Sequence, residues 1–135
     1  MTKDVVIEKA FVAMHNAYAP YSNYHVGSCV KTKDGHYFLG ANIENASFGA
    51  TNCGERSAVF ACYSNGYRKE DIESIAIVTD GSILAGPCGI CRQVLSELLE
   101  EDTPIYLSNG KEEMTTNMAA LLPLSFGRKD LNDRL

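Results

Sequence analysis

Pro87-Cys88-Gly89-Ile90-Cys91 and, 35 positions upstream of Cys88, Cys53-Gly54-Glu55-Arg56 are the two stretches that decide how this chain folds and what chemistry it can carry. Each stretch stands at the predicted start of a helix. The apolar run 75–78 between them predicts a strand buried on both faces. Three cysteines without an obvious fourth ligand predict a zinc ion that keeps one position open, which is typical of catalytic rather than structural sites.

The position of these residues at helix starts explains how they can converge. Side chains in a first helical turn lean toward the N-terminus, so Cys53 and Glu55 can address one point beyond the helix end. Cys88 and Cys91 are three residues apart and lie on one helix face. The partial positive charge of a helix N-terminus lowers the pKa of a thiol there and favours the thiolate that binds metal. Glu55 is then predicted to move protons.

Three thiolates outweigh one Zn²⁺ in charge, so the site needs a further positive charge. Arg56 and Arg92 each directly follow a motif residue. We predict that both guanidinium groups pair with ligand sulfurs. A zinc ion balanced in this way stays electrophilic enough to acidify a bound water molecule.

Simpler interpretations account for the other residues that could bind metal. Cys29 and Cys62 are predicted to be small buried core residues, because free cysteine is among the most buried residue types. A Cys-x-x-Cys pair alone could be a redox motif, but a second helix start with Cys-x-Glu disfavours that function. His15, His25 and His36 are isolated, and we expect surface or packing roles for them.

Composition limits the classes of protein to which the chain can belong. At 135 residues with 45% hydrophobic and 21% charged residues, residues 1–135 are predicted to form one globular domain. A net charge of −5 without a Lys/Arg cluster argues against a nucleic-acid partner. No apolar stretch approaches the roughly 20 residues of a membrane span. Five cysteines and no signal-peptide pattern favour the reducing cytoplasm.

Hydrophobic periodicity and turn signals predict a mixed α/β fold. The predicted helices cover residues 5–18, 54–64 and 87–99, and the predicted strands cover 24–32, 36–43, 75–78 and 105–107. Lys33-Asp34-Gly35 is the strongest hairpin signal, and Asn65-Gly66 closes the middle helix. Strands separated by crossover helices pair in parallel, so we expect a mixed sheet with helices on both faces and a short C-terminal segment.

Further motifs, in the same order along the chain, extend the pattern beyond the cysteines. They are Ala19-Pro20-Tyr21-Ser22-Asn23-Tyr24-His25-Val26-Gly27, the segment 40–49 (GANIENASFG), Cys53-Gly54-Glu55-Arg56, the segment 87–94 (PCGICRQV) and Leu121-Leu122-Pro123 with Phe126. With these residues the chain closely resembles the small homotetrameric zinc-dependent cytidine deaminases. Their cysteine motifs form the three-cysteine version of the zinc-deaminase signature.

The resemblance implies a three-layer α/β/α fold and one Zn²⁺ per chain. It implies hydrolytic deamination of cytidine and 2′-deoxycytidine to uridine and 2′-deoxyuridine in pyrimidine salvage. A homotetramer with shared active sites is also implied. The implied residues are Cys53, Cys88 and Cys91 for zinc, Glu55 for proton transfer, Asn42 and Glu44 for the ribose, the backbone of Ala46 and Gly54 for the base, and Tyr24, Phe48 and Phe126 around the nucleoside, with Phe126 reaching a neighbouring subunit.

Two residues depart from the family pattern, and other functions stay open. Tyr24 stands where the family usually has Phe, and Gly54 replaces a common Ala. By residue type alone, Asn42 and Glu44 could be ordinary loop residues and Phe126 a core residue. An aminonucleoside deaminase of the blasticidin type shares the zinc motifs. A polynucleotide deaminase is disfavoured by the acidic charge. A zinc-stabilised binding module would need a fourth protein ligand and would have no use for Glu55.

Overall fold

A five-stranded sheet with helices on both sides organises the protein. The computed structural model describes residues 2–128 and residue 131. The helices are α1 (Thr2–Met14), α2 (Gly54–Ser64), α3 (Gly89–Leu98) and α4 (Met118–Leu121), and the strands are β1 (Val26–Thr32), β2 (Tyr37–Ala41), β3 (Ile72–Thr79), β4 (Ile105–Ser108) and β5 (Glu113–Thr116). The strand order across the sheet is β2-β1-β3-β4-β5.

The sheet is mixed, as predicted. Strand β1 pairs antiparallel with β2 and with β3, and β4 pairs antiparallel with β5. Strands β3 and β4 pair in parallel, with α3 as the crossover between them. The turn that joins β1 to β2 has Gly35 at φ +94°, a left-handed conformation that glycine adopts without strain.

Alternation along β3 separates two apolar cores, one on each face of the sheet. Ile75 and Ile77 belong to the core under α2 and α3, whereas Ala76 and Val78 belong to the core under α1. All four side chains are at most 2% exposed. The predicted three-layer α/β/α arrangement is therefore confirmed, and α2 and α3 lie on the same face of the sheet.

The first helix begins and ends earlier than predicted. It starts at Thr2 rather than at Val5, and it ends at Met14 rather than at Tyr18. The Tyr18 amide donates to the Asn42 carbonyl at 2.8 Å, and the Glu44 amide donates to the Tyr18 carbonyl at 2.8 Å. These bonds require extended backbone at Tyr18, so long-range pairing overrides the helical pattern there.

The C-terminal part contains two elements that were not predicted, β5 and α4. Strand β5 is an edge strand whose first three residues are exposed, so its sequence lacks the alternation that marks a half-buried strand. Strand β3 also extends beyond the predicted residues 75–78 at both ends. Among the described residues, no helix combines the length and the apolar character needed to cross a membrane.

Candidate metal centre

The three predicted cysteine ligands meet between the starts of α2 and α3. Cys53 is the N-cap of α2, Cys88 is the N-cap of α3, and Cys91 lies in the first turn of α3. Their sulfur atoms all lie within 4.8 Å of one another, and the Cys88 and Cys91 sulfurs are 3.3 Å apart. Among the described residues this is the one group of cysteines, histidines and carboxylates that could hold a metal ion. The predicted cluster is therefore confirmed.

The chemistry of this cluster fits zinc. A hydrogen bond from the Cys91 thiol lowers the pKa of Cys53, against the effect of burial, and Arg56 lowers it further through its Nη2, 3.4 Å from the Cys53 sulfur. A dication between the three sulfurs would stabilise all of them as thiolates. Three sulfur ligands at this spacing suit the tetrahedral preference of Zn²⁺ and leave one position for water.

Arg92 has a different set of contacts from the predicted one. Its Nε donates to the Pro87 carbonyl at 2.7 Å, and its Nη1 donates to the Leu121 carbonyl at 3.0 Å. The guanidinium therefore ties the loop before α3 to α4. These two Arg92 donors are bonded to carbonyl oxygens and not to sulfur. Among the described residues, the arginine that hydrogen-bonds a cysteine sulfur is Arg56.

Glu55 lies in the first turn of α2, two residues after Cys53, and is 4% exposed. Burial raises the pKa of its carboxyl group to about 7. It lines a cavity of about 370 Å³ together with Cys53 and Cys88. A carboxyl group with a near-neutral pKa can both accept and donate a proton near neutral pH, as a general acid/base must.

The same cavity contains three of the predicted substrate residues, Tyr24, Asn42 and Glu44. Sequence reasoning missed the remaining residues of its lining, which are Ser22, Val26, Thr51, Ile77, Thr79, Ala85 and Gly86. Period-two alternation carries a signal for two of these, since Ile77 and Thr79 share one face of β3. The others come from loops or strand ends and have no local pattern that marks them.

Glu44 and Asn42 are both fixed by hydrogen bonds to the chain around residues 21–26. The Glu44 carboxylate accepts from the Ser22 hydroxyl and from two backbone amides of that segment. The Asn42 side chain accepts from the Val26 amide at 2.9 Å and donates to the Tyr24 carbonyl at 2.8 Å. Both side chains therefore hold the segment that carries Tyr24 against the cavity.

Four of the predicted substrate-binding residues are not among the residues that line this cavity. Ala46 is exposed, and Phe48 is 76% exposed, with its ring edge-to-face against Tyr21 at 6.4 Å between centroids. Gly54 is buried, and a Cβ there would lie 3.1 Å from the Val26 carbonyl oxygen. Phe126 is 50% exposed, and its carbonyl accepts from the Gln93 side chain at 2.9 Å.

The residues predicted to be structural lie outside the cluster. Cys29 and Cys62 are fully buried on opposite faces of the sheet, one in each core. His25 bonds Asp80 through its ring at 2.6 Å. This histidine therefore has a carboxylate partner instead of a place among the sulfur ligands.

Comparisons with known proteins agree with this site. The profile described as "Cytidine and deoxycytidylate deaminase zinc-binding region" matches residues 1–107. A cytidine deaminase of Halalkalibacterium halodurans is 45% identical over 134 residues, covering 98% of this chain and 100% of that protein. The crystal structure of a cytidine deaminase from Burkholderia pseudomallei superposes with a TM-score of 0.89 at 42% identity, covering 93% of this chain and 100% of that one. The crystal structure of a cytidine deaminase from Mycobacterium tuberculosis gives a TM-score of 0.78 at 32% identity, covering 94% and 98%.

Proposed function

This chain belongs to the cytidine and deoxycytidylate deaminase family, and we propose that it is a zinc-dependent hydrolase that deaminates cytidine and 2′-deoxycytidine. The products are uridine or 2′-deoxyuridine and ammonia. One observation carries the proposal. Two members of the three-cysteine cluster, Cys53 and Cys88, line one cavity of about 370 Å³ together with the buried carboxyl group of Glu55 and the hydrogen-bonded carboxylate of Glu44.

We assign Cys53, Cys88 and Cys91 to one Zn²⁺ per chain. When bound there, Zn²⁺ lowers the pKa of a water molecule toward about 7 and so makes hydroxide available at neutral pH. Arg56 compensates part of the thiolate charge through its contact with the Cys53 sulfur. Cys91 is 0% exposed, so its own sulfur is shielded from bulk water, whereas Cys88 is exposed.

Glu55 is the group that moves protons in this proposal. It accepts a proton from the attacking water and delivers it to ring nitrogen N3, which makes C4 of the pyrimidine more electrophilic. After hydroxide adds to C4, Glu55 transfers the remaining hydroxyl proton to the amino group, and ammonia leaves as the C4 carbonyl forms. General acid/base catalysis of this kind contributes about 10²- to 10⁴-fold in rate.

The charge of the cavity favours a nucleoside over a nucleotide. Glu44 and Glu55 line it, and none of its lining residues is Lys or Arg. A 5′-phosphate or a polynucleotide would bring negative charge toward two carboxyl groups and the zinc-binding thiolates, without a Lys or Arg side chain in the lining to pair with it. An uncharged nucleoside can instead offer its sugar hydroxyls to Asn42 and Glu44 as hydrogen-bond partners.

The remaining assignments complete the proposal. Tyr24 packs against the nucleoside, and the backbone of Ala46 and Gly54 contacts the base. We propose that residues 1–135 act as one domain in a homotetramer in the cytoplasm, serving pyrimidine salvage. The exposed Phe48 and Phe126 rings then belong to active sites shared between subunits, which is consistent with their exposure of 76% and 50% in the single chain.

An assay with cytidine tests the function directly. The zinc-loaded protein is incubated with cytidine, 2′-deoxycytidine and cytidine 5′-monophosphate, while ultraviolet absorbance and ammonia are followed. We expect turnover of both nucleosides, and at least tenfold lower kcat/KM for the monophosphate. If neither nucleoside releases ammonia, the proposed deaminase activity is refuted. Equal kcat/KM for cytidine and its monophosphate would refute the argument from cavity charge.

A further inference from the structure

Thr79 is a cavity residue that the proposed mechanism does not use. It is the last residue of β3, and alternation places it on the same face as Ile75 and Ile77, under α2 and α3. It pairs with Val26 of β1, which also lines the cavity. The strand therefore delivers one polar side chain to a wall that Val26 and Ile77 otherwise make apolar.

The hydroxyl of Thr79 is buried and has no hydrogen-bond partner among the described residues. The residue as a whole is 5% exposed. A buried hydroxyl without a partner costs stability, because it gives up its bonds to water and gains none in return. Since Thr79 borders the cavity, a molecule that fills that space can offer this hydroxyl the partner that it lacks.

Ser74 provides a useful contrast on the same strand. Its hydroxyl is also buried without a partner, and the residue is 1% exposed. Ser74 does not line the cavity. The two residues are five positions apart, so alternation places them on opposite faces of β3. An unpartnered hydroxyl that faces away from the cavity is thus available as an internal control.

We propose that the Thr79 hydroxyl is a specificity-determining group that hydrogen-bonds the pyrimidine nucleoside in the cavity. The inference rests on the proposed function and adds a substrate contact to it. The nucleoside supplies the partner that the protein does not. A neutral hydrogen bond of this kind changes affinity by about 2- to 12-fold. Because the contact is made in the ground state as well as during reaction, its loss raises KM and leaves kcat nearly unchanged.

The test compares Thr79→Val, Thr79→Ser and Ser74→Ala with the parent enzyme. For each variant, kcat and KM for cytidine and the Tm of the substrate-free protein are measured. We expect Thr79→Val to raise KM about 2- to 12-fold with an unchanged or higher Tm, because it removes a hydroxyl that has no partner without substrate. Thr79→Ser keeps the hydroxyl and should retain the parent KM. Ser74→Ala should leave KM unchanged.

Each other outcome overturns the proposal. An unchanged KM in Thr79→Val means that the hydroxyl is satisfied by water or not at all. A raised KM in Thr79→Ser, which keeps the hydroxyl, means that the packing of the side chain sets KM, and a raised KM in Ser74→Ala assigns the effect to the strand in general. A parent enzyme without activity on cytidine would instead refute the proposed function, so the two failures are distinguishable.

Discussion

The Ser22 hydroxyl donates to one oxygen of the Glu44 carboxylate, while the Ser22 amide donates to the other oxygen at 3.1 Å. The Tyr21 amide donates to that second oxygen as well, at 3.0 Å. The bond from the Ser22 hydroxyl is the main cause that lowers the pKa of Glu44. The lowered pKa keeps Glu44 ionised, and the three hydrogen bonds hold its carboxylate in place. A carboxylate offers about four acceptor positions, so one remains for a sugar hydroxyl.

Replacing Glu44 should therefore damage recognition of the ribose. A charge-assisted hydrogen bond contributes roughly 1.5–3 kcal/mol, or about 10- to 150-fold in affinity. We expect Glu44→Ala to lower kcat/KM for cytidine at least tenfold and to narrow the preference for cytidine over free cytosine. Ser22→Ala, which removes one of three donors, is the matched control and should have a smaller effect. An unchanged cytidine-to-cytosine ratio in Glu44→Ala would reject Glu44 as the ribose-binding group.

Glu55 should be needed for proton transfer but not for binding metal. Three sulfurs already supply the protein ligands of an open tetrahedral site. We expect Glu55→Gln to retain about one zinc per chain and the parent Tm, while kcat falls by about 10²-fold or more. Zinc content by elemental analysis and kcat from the cytidine assay check both parts. Zinc loss in this variant, or full activity, would contradict the assignment.

Local patterns were enough to predict the elements that carry the metal ligands. The bounds of α2 were predicted correctly, and α3 differs only at its ends, because caps, turns and cysteine spacing are local properties of the sequence. The end of α1 was wrong because Tyr18 bonds to residues more than twenty positions away. Strand β5 was missed because an exposed edge strand needs no apolar alternation.

The cavity was predicted only in part for the same physical reason. The cysteines, Glu55 and Glu44 belong to recognisable motifs. The bond between Ser22 and Glu44 and the approach of Arg92 to the Leu121 carbonyl are tertiary contacts, and neither residue type nor spacing indicates them. Such contacts exist only once the strands have paired.

Removal of zinc should divide the five cysteines into two classes. Burial raises the pKa of Cys29 to about 12 and that of Cys62 to about 11, so neither forms appreciable thiolate near pH 8. After chelation we expect iodoacetamide to label Cys53 and the exposed Cys88, and to leave the fully buried Cys91 largely unlabelled, as it leaves Cys29 and Cys62. Before chelation almost none of the five should be labelled. Peptide mapping by mass spectrometry identifies the sites, and far-UV circular dichroism confirms that the chelated protein is folded. Rapid labelling of Cys29 in the folded protein would contradict this prediction.

The hydrogen bonds around Asp34 should make the free energy of unfolding depend on pH in the acid range. Hydrogen bonds from the Thr32 hydroxyl, the Tyr67 hydroxyl at 2.8 Å and the His36 ring at 3.1 Å lower the pKa of Asp34. A lowered pKa means that folding favours the carboxylate. The contribution of Asp34 to the free energy of unfolding is therefore fully present above the pKa of Asp in the unfolded chain, which is about 3.9, and is lost as the pH falls below that pKa.

Comparison of the parent with Asp34→Asn isolates that contribution. We expect the parent to have the higher urea midpoint at pH 5, and the difference to shrink progressively below about pH 4. Tyr67→Phe removes one of the three hydrogen bonds and should show a smaller difference with the same pH trend. A difference between parent and Asp34→Asn that stays constant down to pH 3 would show that the carboxylate charge is not its source.

Phe126 should act in the active site of a neighbouring chain. Its ring is 50% exposed and lies outside the cavity lining of its own chain. Light scattering should give about four chains per particle, and Phe126→Ala should raise KM for cytidine.

Co-expression of Phe126→Ala chains with Glu55→Gln chains provides the sharper test. In mixed tetramers, a site with an intact Glu55 from one chain can receive an intact Phe126 from the other, so the mixture should exceed the summed activity of the two variants. Each variant expressed alone is the control. Activity equal to that sum, with mixed tetramers verified by two affinity tags, would place the role of Phe126 within its own chain.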